Sequence, residues 1–241
     1  MTRDVVVYGT GGVGRQAVQI IDDLNADGAA WSLVGYLDDD PARAGTELHG
    51  VPIVGAGEWL TAHAHVDVVI AIGSPKTRWH VARRVRALGH TRFATLVHPS
   101  ASIGARCQIG AATIIYPGVL IDTDVTLGEF VLVNKACTLG HDAQIGAYTT
   151  LSPGVNLGGA AHIGAGCDLG INSCTVQGVV VGAWSVIGAG AVVLGELPSN
   201  VTAVGVPAKV IKQRQPGWHS AALASPDNSA AQCKEVGRGT A

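Results

Sequence analysis

Large rings, charge and long apolar runs are all scarce in this chain, and each scarcity excludes something. Of 241 residues only two are Phe and one is Met, and aromatic residues make up 5 % of the total. The interior therefore has to be filled by small and aliphatic side chains. Charged residues amount to 14 % against 47 % apolar, the balance of a well-buried protein with room for two modest domains. The net charge is −2, which offers no electrostatic case for binding nucleic acid. Nine of the sixteen basic residues precede residue 100, and only Arg106 and Lys135 fall between residues 103 and 193. No apolar run approaches a membrane span, and the run in MTRDVVVYGTGG is too short for a secretory signal. The five cysteines, at 107, 137, 167, 174 and 233, form no C-x-x-C pair. An odd count without a pairing frame points to a reducing compartment, so a cytoplasmic protein is expected.

What the chain has in abundance is a period of six. From Ile103 to Val193, every sixth residue is Leu, Ile or Val, with Thr175 as the single interruption in sixteen positions. Gly follows the aliphatic at ten of the sixteen. Four residues after each aliphatic runs a second column of small residues, including Cys107, Thr113, Cys137, Ala143, Thr149, Cys167 and Ala191. No helix has this period. Two columns in phase for so long predict a left-handed parallel β-helix in which each hexapeptide makes one side of a triangular coil. The aliphatic and the small residue point inward, and the glycines are expected to serve the tight corners. Three units close a coil, so the array makes roughly five coils. Three cysteines fall in the small column, which predicts core packing rather than metal or redox chemistry for them.

Residues before the array alternate differently. DVVVY (4–8) reads as a buried strand, GTGGVG follows, and Val13, Val18, Ile21 and Leu24 have helical spacing. WSLVGYL is a second strand ending in DDDP, VPIVG a short extended piece, EWLTAHA a short helix, and VDVVIAIG another buried strand. KTRWHVARRVRAL is a basic amphipathic helix, and FATLVH a last strand leading through HPSASIG into the coils. Alternating β and α predicts a small parallel α/β domain. The expected organisation is a Rossmann-like domain over 1–96, a β-helix domain over 97–211 and a mobile tail over 212–241.

Two places can carry chemistry. Gly9, Gly11, Gly12 and Gly14 lie between a strand and a helix, where backbone N–H groups and the helix N-terminus receive a diphosphate. Asp38 and Asp39 end the next strand, where a carboxylate can meet a ribose or base. A sugar nucleotide satisfies this pattern as well as NAD does. The structural alternative is a tight strand-to-helix turn with a solvated acidic loop. The second place is His141, two residues after Leu139 and so in neither inward column. Gly159 lies one coil above it, which leaves space and a free backbone N–H beside the imidazole. That suits a general base next to a thioester with an oxyanion donor, with Asp142 orienting the ring. The alternative is a surface histidine at a corner. The three-histidine zinc spacing of β-helix carbonic anhydrases is lacking, so no metal is expected. His98 reads as a structural junction residue.

The motifs VVVYGTGGVG, GYLDDDP, VIAIGSPKTR, HPSASIG, the hexapeptides, GHDAQIG and GVPAK occur in this order over residues 4–211. In this the chain resembles the NeuD/PglD-like sugar acyltransferases, hexapeptide-repeat enzymes of the left-handed β-helix class. The resemblance implies a homotrimer with active sites between subunits and His141 as catalytic base. It implies a sugar nucleotide near Gly11, Gly12, Val13, Asp38 and Gly73, and acetyl-CoA along backbone groups around Gly159, Ile171, Val180 and Ala189. The expected activity is acetyl transfer from acetyl-CoA to the amino group of a nucleotide-linked amino sugar. O-acetylation of a sialic-acid-like sugar is the near alternative, and a non-catalytic nucleotide-binding trimeric scaffold the distant one.

Overall fold

The computed structural model describes residues 2–221. β1 (Arg3–Tyr8) lies inside a five-stranded sheet of order β3-β4-β2-β1-β5, where β2 is Trp31–Leu37, β3 Glu47–Leu48, β4 Val51–Gly55 and β5 Asp67–Ile70. β1 pairs in parallel with β2 and β5, and only the β3–β4 hairpin at the edge is antiparallel. Strand alternation divides β1 between two cores. Val5 and Val7 pack with Ala17, Ile20 and Ile21 of α1 (Gly12–Ala26), whereas Val6 and Tyr8 pack on the side of Val81, Ala82 and Val85 of α2 (Pro75–Ala87). An interior parallel strand covered on both faces has to be apolar throughout. Ser74 caps α2 by accepting from Thr77 N–H at 3.3 Å, and Pro75 at the first helical position lacks an N–H that would otherwise be orphaned. The stretch EWLTAHA forms only a 3₁₀ turn, Gly57–Thr61.

The six-residue period builds a left-handed β-helical prism. Its first face runs from Ser102–Ile103 to Val192–Val193, and its second from Gln108–Ile109 to Val180–Val181. The third starts at Leu96–Val97 and continues through Ile114–Ile115 and Thr150–Leu151 to the hairpin of Val201–Val204 and Lys209–Gln213. All rungs up to the final hairpin are parallel, each pairing residue i with i+18. The aliphatic column is buried almost throughout, with Ile115, Val133 and Leu151 wholly inaccessible. Each such side chain contributes roughly 1.5–3 kcal/mol on burial.

Hydroxyls and thiols in the small column bond outward to the backbone of the next coil. Thr113 donates to Gly128 O at 3.2 Å, Thr149 to Gly164 O at 2.9 Å, and the Cys167 thiol to Gly182 O at 3.2 Å. Burial pushes the Cys137 thiol up to about 11 and the Cys167 thiol up to about 12, so both stay protonated core residues. Thr175, the one break in the aliphatic column, accepts from Gly158 N–H at 3.1 Å.

The glycines play a different part from the one expected. Those after the aliphatic do not adopt positive φ. A Cβ on Gly146 would lie 2.4 Å from Ala165 N, and one on Gly128 2.5 Å from Ala147 N, so these glycines let successive coils approach. The left-handed corner falls two residues later, at Arg106, Asp124, Asp142 and their equivalents, with φ of 54–62° at most coils. At the corner between the second and third faces it is held by Phe130, Tyr148 and Trp184. A non-glycine residue there costs roughly 1–2 kcal/mol. Ring packing offsets that cost: Phe130 and Tyr148 stack with centroids 5.0 Å apart beneath α2.

The third face carries the α/β domain. The strand expected over FATLVH is divided between the two parts. Phe93 bridges Val68 in the α/β sheet, whereas Leu96–Val97 makes the first rung of the prism on Ile114–Ile115. His98 is a junction residue as expected: its Nε2 donates to Asp23 of α1 at 3.0 Å, and its Nδ1 accepts from Ser100 N–H. Of the tail expected from residue 212, Lys212 and Gln213 complete the last strand, and Trp218–Ser220 form a 3₁₀ turn in which His219 stacks on Trp184 at 3.6 Å. Residues 222–241, including Cys233, lie outside the described residues.

Candidate active site

His141 projects from the corner between the first and second faces. Its side chain is 65 % exposed, and its Nδ1 faces the Asp142 carboxylate at 2.7 Å. That contact makes Nδ1 the protonated nitrogen and leaves Nε2 with a lone pair. Asp142 first, and Asp122 to a smaller degree, raise the imidazole above its ordinary value. Nε2 points at Gly159: a Cβ added there would lie 2.6 Å from Nε2 and 2.8 Å from Cε1. The coil above holds the position, since Ala160 N–H donates to His141 O at 2.7 Å. Gly159 N–H donates to no group among the described residues. A basic nitrogen thus faces an open glycine whose N–H is unspent among the described residues, an arrangement suited to proton removal beside a developing oxyanion.

The glycine-rich loop makes the second cluster. Gly9 has φ of +112°, and a Cβ on Gly14 would lie 1.8 Å from Gly9 O, so the helix reaches the end of the strand only because residue 14 is glycine. Gly11 and Gly12 have open space before them. Gly73 comes to the same place, 3.4 Å from Val13 when given a Cβ. Thr10 donates to Asp38, and Arg43 donates to Thr10 and lies 3.8 Å from Asp38, so Asp38 borders this loop. Asp39 turns the other way: it accepts from Tyr8 OH at 2.6 Å and from Arg84. Burial and the Asp39 carboxylate keep the Tyr8 phenol protonated.

One chain does not bring all these residues together. Val13 meets Tyr116 at the corner between the third and first faces, the corner that also carries Ile171 and, one coil on, Ala189. His141 and Gly159 occupy the next corner, across the first face. Val180 lies on the second face, in a groove of about 410 Å³ that includes Gln144 and His162.

Sequence reasoning missed the residue that joins the two parts. Arg78 is 1 % exposed, yet it sits in no pocket of carboxylates. It donates to the carbonyls of Phe130 (2.9 Å), Gly73 (3.0 Å) and Tyr148 (2.8 Å), and to Thr150 Oγ1 (2.8 Å). Thr150 in turn donates to Gly73 O at 2.7 Å. Burial pulls the guanidinium down to about 10, still charged at neutral pH, and the half-buried Asp168 opposes that fall. In sequence Arg78 was one of five basic residues on an amphipathic helix and the last residue of VIAIGSPKTR, with nothing to say that it would be buried.

Comparison with known proteins adds the following. Residues 4–85 match the model of the PglD N-terminal domain, and residues 100–128 and 160–194 match the hexapeptide repeat of succinyl-transferase. The acetyltransferase domain of PglB from Neisseria gonorrhoeae, solved with acetyl coenzyme A, is 28 % identical with a TM-score of 0.79, over 88 % of this chain and 100 % of that one. A variant of perosamine N-acetyltransferase from Caulobacter crescentus, solved with CoA and GDP-perosamine, is 31 % identical with a TM-score of 0.77, over 87 % of this chain and 97 % of that one. A curated relative, the probable acetyltransferase Rv3034c of Mycobacterium tuberculosis, is 38 % identical over 63 residues, which spans 26 % of this chain and 21 % of that protein.

Proposed function

Because the chain belongs to the PglD-like family of hexapeptide-repeat sugar acetyltransferases, we propose that it transfers the acetyl group of acetyl-CoA to the amino group of a nucleotide-linked amino sugar. In this reading residues 1–96 hold the nucleotide and residues 97–211 hold the acyl donor. The sugar amine attacks the thioester carbonyl. His141 Nε2 takes the amine proton, Asp142 balances the charge of the resulting imidazolium, Gly159 N–H steadies the oxyanion, and the C–S bond breaks as the imidazolium returns that proton to the CoA thiolate. The base is worth roughly 10²–10⁴ in rate.

The observation that carries the reading is the pairing of a free Nε2 with an open glycine on the next coil, in a chain that also bears a nucleotide-type glycine loop. The family likeness favours nitrogen as acceptor, since the perosamine enzyme is an N-acetyltransferase. The glycine loop borders the corner between the third and first faces, whereas His141 projects from the corner between the first and second, so the reading requires a neighbouring subunit to bring its His141 to this chain's nucleotide. A closed ring of three prisms does so for all three sites, which is the homotrimer we propose. The cytoplasmic placement belongs to the same proposal, and the four described cysteines are unpaired. Among the described residues no helix is long and apolar enough to cross a membrane.

The test is an acceptor panel. UDP-, dTDP- and GDP-linked 4-amino sugars are offered with acetyl-CoA beside a free and a CMP-activated nonulosonate, and thiol release is followed. Turnover with an amino-sugar nucleotide supports the reading. Turnover with nonulosonates alone moves it to O-acetylation, and no turnover with thermal stabilisation by nucleotide only would leave a scaffold.

A further inference from the structure

The corner that carries Asp142 is one of a vertical series eighteen residues apart. Arg106, Asp124, Asp142 and Ala160 occupy it in successive coils, all left-handed, with φ of 62, 62, 60 and 54°. Identical backbone conformation stacks their side chains in register. Asp124 N–H donates to Ala105 O at 3.0 Å and Asp142 N–H to Thr123 O at 3.1 Å, so the column is rigid at its root. Coils are about 4.8 Å apart. Asp124 and Asp142 thus occupy equivalent corner positions one coil apart, and Asp142 is the one bonded to the imidazole. Arg106 grips the lower one with two parallel bonds, Nε to Oδ1 and Nη2 to Oδ2, both 2.6 Å. Such a fork is the strong form of the pair, fixed in direction as well as charge.

We propose that Arg106 and Asp124 are positioning residues of the proton-transfer site: their ion pair neutralises the carboxylate beneath Asp142 and so sets the potential in which the Asp142–His141 pair holds its proton. The inference rests on the reading of His141 as the base. Without Arg106, the unpaired Asp124 would add negative potential at the ring. Without Asp124, the guanidinium of Arg106 would be left unpaired, with Asp142 two coils on, and would compete with His141 for it. The other titratable groups around this corner are Cys107 beside Arg106, whose thiol donates to Asp122 O at 2.9 Å, Asp122 on the coil below His141, Cys174 on the first face and His162 on the second. The coil above presents Gly159 and Ala160, which carry no charge. Consistent with the geometry, Arg106 is held up chiefly by Asp124 and to a lesser degree by Asp142, and Asp124 is held down chiefly by Arg106.

The two single neutralisations have opposite expected signs. In Arg106→Gln the imidazolium is favoured, so the His141 ring titrates at higher pH and the acid limb of kcat/KM moves up with it. In Asp124→Asn the unpaired guanidinium disfavours the imidazolium, and both move down. The double variant returns toward wild type, and Arg106→Lys, which keeps the charge, stays near it. At about 1 M salt, where the screening length is about 3 Å, the displacements shrink. The experiment is NMR titration of the His141 ring in the full-length protein and these four variants, alongside the pH–rate profiles and His141→Ala. A merely structural corner would lower melting temperature or kcat without opposite shifts. If His141→Ala keeps its kcat, the reading of the base fails. If His141→Ala is inactive but the ring titrates alike in wild type, Arg106→Gln and Asp124→Asn, this proposal is overturned and the base stands.

Discussion

Gly159→Ala separates catalysis from stability more cleanly than removal of the histidine itself. The new methyl carbon would lie 2.6 Å from His141 Nε2, 2.8 Å from Cε1 and 3.1 Å from Cδ2. Ordinary contact begins near 3.4 Å, so the ring has to retreat by about 1 Å, and it can, because it is 65 % exposed. Gly159 is not among the positive-φ residues, so alanine meets no backbone strain. Stability should stay level or rise by about 0.4–1 kcal/mol, through the lower entropy of the unfolded chain. A displacement of about 1 Å from a reactive geometry can cost on the order of 10²-fold in rate. The expected result is kcat down by about that factor, with an unchanged or slightly raised melting temperature. The assay is thiol release under saturating acetyl-CoA and acceptor, with thermal unfolding on the same samples. In the Gly159→Ala background, His141→Ala should add little, because the two changes disable one unit. A kcat within about threefold of wild type would refute the placement of the base beneath this glycine.

Four further outcomes are expected. Asp142→Asn should lower kcat and bring the acid limb of kcat/KM down. The base works only when neutral, and Asp142 is the first cause of its raised affinity for a proton; an unmoved limb in the pH–rate profile would contradict this. Asp38→Ala should weaken nucleotide-sugar binding in calorimetry and leave acetyl-CoA binding intact, and equal loss of both would argue against separate sites. Arg78→Met should strand several buried carbonyls and lower stability by about 3 kcal/mol or more in urea unfolding, since each unsatisfied acceptor costs roughly 1–3 kcal/mol. Gly146→Ala, whose Cβ would come 2.4 Å from Ala165 N, should cost about 1–3 kcal/mol by overpacking, read in the same way.

The prism was legible in the sequence because its constraint is one-dimensional. Each coil meets the next at a fixed spacing of eighteen residues, so inward residues recur in phase, and His141 could be placed beneath Gly159 by counting. The glycine column was equally visible, but its reason was not. Whether a glycine serves a positive φ or a close approach depends on where the coil turns, and counting does not say that. FATLVH was assigned to one sheet because local pattern carries no information about partner. Phe93 and Leu96 sit three residues apart and pair with strands of different domains. Arg78 was invisible for a related reason. Its cost of burial is met by carbonyls of Phe130 and Tyr148, more than fifty residues on, and carbonyls have no signature in sequence. Asp38 and Asp39 looked equivalent, yet strand alternation sends one to the glycine loop and the other beneath it to Tyr8 and Arg84.

The most direct test of the central claim is single-turnover transfer with the identified amino-sugar nucleotide, wild type against His141→Ala, with mass spectrometry of the sugar and calorimetry for both ligands. The ring lies outside both inward columns and is largely exposed, so its removal should cost at most about 0.5 kcal/mol of stability. The account predicts a sugar heavier by one acetyl group with wild type, a rate lower by roughly 10²–10⁴ with His141→Ala, and unchanged affinity of that variant for acetyl-CoA and nucleotide sugar. Acetylation at the wild-type rate by a folded His141→Ala protein would contradict it.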